Sequence, residues 1–327
     1  MNDLTTRPYN DADAAPLTEL MNAIEIVGDG GHDFAEAEIR DMMSAWLRDA
    51  ARDSRLVFAS DSALVAAGLV SQPPPDGSHA RTAGGVHPDW RGRGIGRALL
   101  SWQFERIAEI RAERGSTAEW IVGTGAGIAD ESAARLFRRF GLHRVRYFLQ
   151  MRAPTAGVRP VPPPDGLRIA EYTADLRATV HGTHADAFAD HWGFEGRRID
   201  EWTARTVESD LFRADLSRIA FEGDQAVAFL LGYDGLENDL YIGQVGTRPQ
   251  WRKRGLATAL LAASLAAGAA DGKTTASLGV DADSPTGAVT VYERLGFTAQ
   301  HSPFAVYHRS LDRADLSAAS ASASAGR

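Results

Sequence analysis

A short turn in the second half of the chain carries the residue types that bind phosphate. Three consecutive cations precede a glycine there, in the order Arg252-Lys253-Arg254-Gly255. A strand-like apolar run ends just before this turn, and an apolar helical run, Leu256 to Ala270, begins just after it. The first N–H groups of a helix lack partners within the helix, and the helix dipole adds positive potential at that end. The pattern therefore predicts an anion site in which the glycine lets the backbone approach a phosphate and the cations supply countercharge.

The spacing of this turn differs from two better-known phosphate loops, and the turn occurs twice. A P-loop needs a Gly-Lys-Ser/Thr end, and a dinucleotide-binding fingerprint needs Gly-x-Gly-x-x-Gly. Neither pattern is present in this turn or in a similar one near residue 94. Residues 88–100 match residues 249–261 at a constant offset of 161, with 8 of 13 paired positions identical. A single repeat of this length indicates two copies of one domain rather than a solenoid.

The pattern Arg-x-x-Gly-x-Ala, from Arg252 to Ala257, resembles the coenzyme A pyrophosphate loop of the GNAT superfamily of N-acetyltransferases. Downstream, the run Val291 to Phe297 is similar to the last conserved helix of that family, which bears Leu-Tyr before Gly-Phe. The resemblance implies that acetyl-CoA is the donor and that the strand before each loop pairs with its pantetheine. The residues that it assigns to coenzyme A are Val245, Gly246, Thr247, Arg252, Lys253, Arg254, Gly255, Leu256 and Ala257, with Val86, Arg91, Gly92, Arg93, Gly94, Ile95 and Gly96 in the first copy.

The same resemblance implies candidates for proton transfer. In a GNAT reaction an amine attacks the thioester carbonyl, and the departing thiolate requires a proton. Tyr292 stands at the position of the family's general acid, although an aromatic residue there could also simply pack on the sheet. Phe137 replaces it in the first copy and cannot donate a proton, so we expect that domain to be catalytically weak or silent, whether or not it binds coenzyme A. Glu237 and Asp239 are candidates for the general base, or else belong to a solvated turn.

Composition narrows the classes of protein. The 327 residues suffice for two domains, and the absence of cysteine excludes disulfides, thiolate metal sites and a cysteine nucleophile. A net charge of −8 argues against general nucleic-acid binding. The sequence begins without an apolar leader, and its longest apolar run is shorter than a membrane span, so we expect a cytoplasmic protein with no membrane partner. His181, His184 and His191 resemble a metal cluster only weakly, and we expect no metal.

The predicted elements follow the order strand, two helices, antiparallel strands, basic loop and helix, strand, helix, strand, which the GNAT fold requires. We predict an α/β (α+β) fold of two tandem GNAT-like domains, each with a mixed, mostly antiparallel sheet flanked by helices. The predicted boundaries are an N-terminal domain over 1–152, a Pro-rich linker over 153–165, a catalytic C-terminal domain over 166–312 and a disordered Ala/Ser tail over 313–327. One helix of the first domain is predicted from Phe34 to Ala50.

The functional hypothesis is acetyl transfer from acetyl-CoA to the primary amine of a small molecule, catalysed in the second domain. One alternative is a non-catalytic acyl-CoA-binding regulatory module. Another is an antibiotic-modifying or protein N-acetyltransferase. The tyrosine at 292 favours an enzyme, because an abandoned site would be free to lose it, as the first copy has. The acceptor and the choice between monomer and homodimer stay open at this level.

Overall fold

The computed structural model describes residues 4–29, 34–159, 161–192, 194, 196–284 and 287–311. The tail predicted over 313–327 lies outside these residues. The first repeat contains, in chain order, β1 (Thr5–Arg7), α1 (Ala14–Gly28), α2 (Glu36–Trp46), α3 (Ala50–Asp53), β2 (Ser54–Phe58), β3 (Leu64–Ser71), β4 (His79–Val86), α4 (Ile95–Glu113), β5 (Ile121–Gly127), α5 (Glu131–Arg139) and β6 (His143–Pro154).

The second repeat has the same order of elements, except that its described residues include no counterpart of α3 and carry an additional short strand just before the last one. It contains β7 (Leu167–Glu171), α6 (Arg177–Phe188), α7 (Ile199–Ala204), β8 (Phe212–Glu222), β9 (Gln225–Asp234), β10 (Asp239–Thr247), α8 (Leu256–Ala270), β11 (Thr275–Asp281), α9 (Ala288–Arg294), β12 (Thr298–Ala299) and β13 (Phe304–Ser310). Short 3-10 turns, Pro88–Trp90 and Pro249–Trp251, follow β4 and β10. No helix in the described part of the chain is long and apolar enough to cross a membrane.

The chain divides into two compact units that exchange their last strands. Among the described residues, the first unit comprises those up to 147 and those from 301 onward, and the second comprises those between 148 and 300. In the first unit the strand order is β1-β2-β3-β4-β5-β13, so the final strand of the second repeat completes the first sheet. In the second unit the order is β7-β8-β9-β10-β11, followed by the 148–154 part of β6. In each unit only one of these strand pairs is parallel, β4 with β5 or β10 with β11, which confirms the predicted mixed, mostly antiparallel fold.

Each sheet is covered by helices on both faces. In the second unit, Leu260 and Leu265 of α8 pack with Val280 of β11 and other apolar residues on one face. On the other face, Val180 of α6 and Trp202 of α7 form a separate cluster with apolar residues of β8 and β9. The Ala-rich sequence of α8 is apolar on all sides because the helix is largely buried.

Two local features differ from the sequence predictions. The helix predicted from Phe34 to Ala50 is interrupted, because Asp49 accepts hydrogen bonds from the Ala51 and Arg52 backbone N–H groups and caps the new helix α3. The linker predicted over 153–165 begins inside β6. There Ala153 is only 2% exposed and pairs with β11. The predicted domain boundaries remain a prediction. The compact units differ from them because each unit includes the last strand, or part of it, from the other repeat.

Candidate active site

The second unit contains a gap between two parallel strands beside the predicted phosphate loop. β10 pairs with β11 only at residues 239–241, opposite residues 275–277. Its other edge pairs with β9 as far as Thr247, with a bulge between Ile242 and Gln244. Among the described residues, the edge of 242–247 that faces β11 has no strand partner. An unpaired strand edge offers N–H and C=O groups to an extended ligand.

The loop after β10 has the backbone conformation that an anion site requires. Lys253 and Gly255 have positive φ angles of 62° and 84°, and α8 begins at the next residue, Leu256. A Cβ atom at Gly255 would meet nothing within 4 Å, so the space in front of the helix is open. The side chains of Lys253 and Arg254 are exposed beside it. The N-terminus of this 15-residue helix can therefore receive a phosphate.

Arg252, which we predicted as a source of countercharge, has other partners. Its Nε donates to the Thr247 carbonyl at 3.2 Å, and its terminal nitrogens donate to both carboxylate oxygens of Asp190, at 2.6 and 2.8 Å. It also donates to the Ala187 carbonyl at 2.9 Å. These partners lie at the end of α6, about 60 residues earlier in the chain. Sequence reasoning missed this pairing, which no local pattern encodes.

Tyr292 lies on α9, where its half-buried ring packs against the core beneath α8 and makes an edge contact with Phe297 at 5.9 Å. Within the described part of the chain, its hydroxyl has no hydrogen-bond partner. Burial raises the pKa of this hydroxyl to about 12, so it stays protonated near neutral pH. The geometry leaves the O–H group available as a donor.

The two candidate bases occupy different environments. Glu237 is exposed in the turn before β10, with a positive φ of 50°. Asp239 is 3% exposed and accepts hydrogen bonds from the hydroxyls of Thr275, at 2.6 Å, and Ser277. Arg152 lies 3.4 Å from the same carboxylate. These contacts join β10, β11 and β6 at the closed end of the gap, and they favour a structural role for Asp239.

The α6 face of β10 carries a polar group that sequence reasoning did not single out. Side chains alternate along a strand, so Gln244 shares its face with Gly246, whose added Cβ would lie 3.0 Å from the Phe188 ring of α6. The Gln244 Oε1 atom is buried and has no hydrogen-bond partner among the described residues. A buried acceptor without a partner is costly unless a ligand satisfies it.

An aromatic and imidazole cluster lies on this same side. The His184 ring stacks on Phe188 at 4.8 Å and contacts Phe194, Trp202 and Phe229 at 5.6 to 5.9 Å. Burial, with smaller contributions from His181 and Arg197, lowers the pKa of His184 to about 4, so the imidazole is neutral near pH 7.

The three histidines considered for a metal point to different partners. His181 Nε2 contacts the Arg197 carbonyl at 2.9 Å, and His191 Nδ1 contacts the Trp192 carbonyl at 3.1 Å. His184 lies among the aromatic rings. Across the residues that the structure describes, no group of three His, Asp or Glu side chains is arranged to hold a metal ion.

The corresponding loop of the first unit has a similar backbone and shares one arginine contact, but its other side-chain contacts differ. Gly92 and Gly94 have positive φ angles of 77° and 84°, and α4 begins at Ile95. Arg91 donates through Nε to the Val86 carbonyl, as Arg252 does to the equivalent Thr247. Arg93 stacks on a tryptophan ring, and Gly96 packs against α5.

Two contacts span the gap between β4 and β5 in the first unit, where the strands pair only at residues 79–81 and 121–123. Arg91 pairs with Asp130, 3.0 Å away, joining the loop after β4 to the N-cap of α5. The second contact is the packing of α1 against both β4 and β5. A Cβ added at Gly85 would lie 2.9 Å from the Ile24 side chain, and one at Gly127 would lie 2.1 Å from the Gly28 carbonyl oxygen. The equivalent of Tyr292, Phe137, is buried against Tyr307 at 5.1 Å.

Comparison with known proteins identifies relatives of both repeats. Residues 179–297 match the model of the acetyltransferase (GNAT) family, and residues 52–142 match that of the acetyltransferase (GNAT) domain. A mycothiol acetyltransferase of Thermobispora bispora is 31% identical over 253 residues, which cover 74% of this chain and 79% of the relative. One of Mycolicibacterium vanbaalenii is 30% identical over 87% of this chain and 92% of its own length.

Two solved structures superpose on nearly the whole chain. A GCN5-related N-acetyltransferase from Sphaerobacter thermophilus superposes with a TM-score of 0.78 at 26% identity, covering 95% of this chain and 96% of that one. A tandem GNAT protein from the clavulanic acid biosynthesis pathway superposes with a TM-score of 0.68 at 15% identity, covering 95% and 99% of the two chains, which supports the fold alone.

Proposed function

The chain belongs to the GNAT acetyltransferase family, and we propose that its second unit transfers an acetyl group from acetyl-CoA to the primary amine of a small molecule. One observation carries the assignment to the second unit. Tyr292 provides a protonated hydroxyl there, whereas the equivalent residue of the first unit, Phe137, has no proton to donate.

The gap beside β10 fits the donor. The unpaired backbone of 245–247 would hydrogen-bond an extended pantetheine chain, and the open N-terminus of α8 would hold the pyrophosphate with Lys253 and Arg254. Acetyl-CoA supplies a thioester whose carbonyl carbon accepts the amine. A backbone N–H on the free edge of β10 would donate to the carbonyl oxygen as negative charge develops on it.

Tyr292 completes the reaction by donating its proton to the sulfur when the C–S bond breaks. With a pKa of about 12, the Tyr292 hydroxyl is protonated near neutral pH. After the transfer, a nearby base or a water molecule gives a proton back to the tyrosine. The attacking amine must lose a proton to water or to a base. Of the two predicted bases, the exposed Glu237 is the one whose carboxylate is not held by neighbouring strands.

The acceptor would enter from the α6 side, where Gln244 Oε1 can accept a hydrogen bond from an ammonium or hydroxyl group. Relatives named mycothiol acetyltransferase make mycothiol lacking its acetyl group the first acceptor to test. Antibiotic amines and peptide amines belong in the same panel, because they represent the alternative substrate classes.

The contacts that cross the first unit's gap further support catalysis in the second. The Arg91–Asp130 pair joins the loop after β4 to α5, whereas the equivalent Arg252 turns to the end of α6 and, among the described residues, leaves the second unit's loop without an ion pair to α9. We therefore propose that the first unit is catalytically silent.

A matched pair of loop variants tests which unit works. Gly255 and Gly94 have the same φ of 84° and the same open surroundings, so Gly255→Asp and Gly94→Asp add similar strain, about 1 kcal/mol each. Each also places a carboxylate where a phosphate would bind. Acetylated products from the amine panel are read by mass spectrometry. We expect Gly255→Asp to abolish transfer and Gly94→Asp to retain it, and the reverse result would assign catalysis to the first unit.

A further inference from the structure

The loop arginine has a different partner in each unit. In both units its Nε donates to the carbonyl of the last strand residue, Val86 or Thr247. The rest of the guanidinium of Arg91 turns to Asp130 at the start of α5. The rest of that of Arg252 turns to the end of α6. The repeat therefore conserves the arginine while changing what it holds.

The hydrogen bonds of Arg252 leave little for a ligand. A guanidinium has five N–H donors, and four of them reach Thr247, Ala187 and the two oxygens of Asp190. The fork of two bonds to one carboxylate is the preferred arginine geometry, and it neutralises the positive charge locally. The hydrogen bond from Arg252 is the main reason why the pKa of Asp190 is lowered.

The partners of Arg252 define the end of α6. Ala187 lies in the last turn of the helix, and Asp190 lies two residues beyond it. A cation that bonds the last carbonyls of a helix stabilises that end. A second ion pair, between Arg248 and Asp186 at 2.9 Å, joins the same two segments. The turn that they fix also carries Phe188, which abuts Gly246 on the acceptor side of β10.

We propose that Arg252 and Asp190 are a positioning pair that holds the end of α6 against the cofactor loop, and that Arg252 is not a phosphate ligand. The inference rests on the proposed function in one respect, since it takes the α6 side of β10 as the acceptor side. The pair sets the position of the His184 and Phe188 rings relative to the loop. Phosphate binding is left to the helix N-terminus and to the exposed Lys253 and Arg254.

A double-mutant cycle on the full-length protein tests the pair, using Arg252→Gln, Asp190→Asn and the double variant. The first measurement is acetyl-CoA affinity by calorimetry, with Gly255→Asp as the variant that removes binding and Lys253→Gln as a matched exposed cation. We expect each single variant of the pair to change the affinity less than threefold. A tenfold loss in Arg252→Gln with none in Asp190→Asn would show a phosphate ligand and overturn the proposal.

The second measurement is amide hydrogen exchange across residues 184–191. We expect three- to tenfold faster exchange in either single variant, and no further increase in the double variant, because both remove the same contact. Additive effects, or unchanged exchange, would contradict a positioning pair. Exchange needs no acceptor, so it tests the pair even if the amine panel yields no product. The acceptor KM should rise in both single variants with kcat changed less than KM, whereas a purely structural pair would leave the acceptor KM unchanged.

Discussion

Replacing Asp239 by asparagine separates the two roles open to this carboxylate. The residue is buried at the closed end of the gap, where two hydroxyls donate to it and Arg152 lies nearby. Hydrogen bonds to a charged group contribute about 1.5–3 kcal/mol each. An asparagine amide keeps one acceptor oxygen and turns an NH2 group toward the other hydroxyl, so about one such bond is lost.

The expected loss of unfolding free energy is therefore about 1.5–3 kcal/mol. For a unit of roughly 150 residues this corresponds to a fall in the melting temperature of about 3–12 °C. Glu237→Gln is the matched control, because an exposed turn residue typically changes stability by less than about 0.5 kcal/mol. Thermal unfolding followed by circular dichroism measures both variants, and acetyl transfer is assayed on the same samples below their melting temperatures.

A structural role for Asp239 would be refuted by an Asp239→Asn protein that melts like the wild type yet loses its rate of acetyl transfer a hundredfold or more. That outcome would make Asp239 the general base. A lowered melting temperature with the rate largely kept agrees with strand joining. A selective rate loss in Glu237→Gln would identify that residue as the base instead.

Three further outcomes are expected. Tyr292→Phe should lower kcat at least tenfold, about 1.4 kcal/mol of barrier, without weakening acetyl-CoA binding, and an unchanged kcat in steady-state assays would remove the tyrosine from the mechanism. Arg106→Met should cost about 3–5 kcal/mol in denaturant unfolding, because it leaves the fully buried Asp53 carboxylate without its cation, while Asp53→Asn added to it should recover part of the loss. Burial lowers the pKa values of His184 and His308 to about 4, so between pH 4 and 6.5 the unfolded chain binds more protons than the folded chain. The free energy of unfolding should therefore fall as the pH drops through that window. Replacing either histidine by glutamine should flatten this fall, which denaturant titration measures.

The parts of the site that follow one another in the chain were predictable from the sequence. The apolar run that begins at Leu256 predicted a helix as far as Ala270, and α8 has these bounds. The family resemblance of both repeats is confirmed by the family matches. The break in the helix predicted from Phe34 left a local signal, since Asp49 is a typical N-cap residue.

Contacts between distant segments were not predictable. The Arg252–Asp190 pair depends on how the end of α6 approaches the loop, and nothing within either segment specifies a partner 62 positions away. The exchange of β6 and β13 could not be predicted from the sequence for a related reason. Both are strands at the end of a repeat, and either could complete either sheet without changing its local pattern of hydrogen bonds.

The exchanged strands tie the maturation of the first unit to the synthesis of the second repeat. β5 pairs along its whole length with β13, residues 121–127 with 304–310. While the ribosome is still making the second repeat, the nascent first sheet has an open edge at β5, an unpaired backbone of the kind that invites wrong association. A fragment ending at residue 152 lacks β13, and its edge at β5 is then open to its own β6 or to another chain. Reproducing the sheet of the first unit in a separate protein therefore calls for residues 304–310 to be grafted onto it.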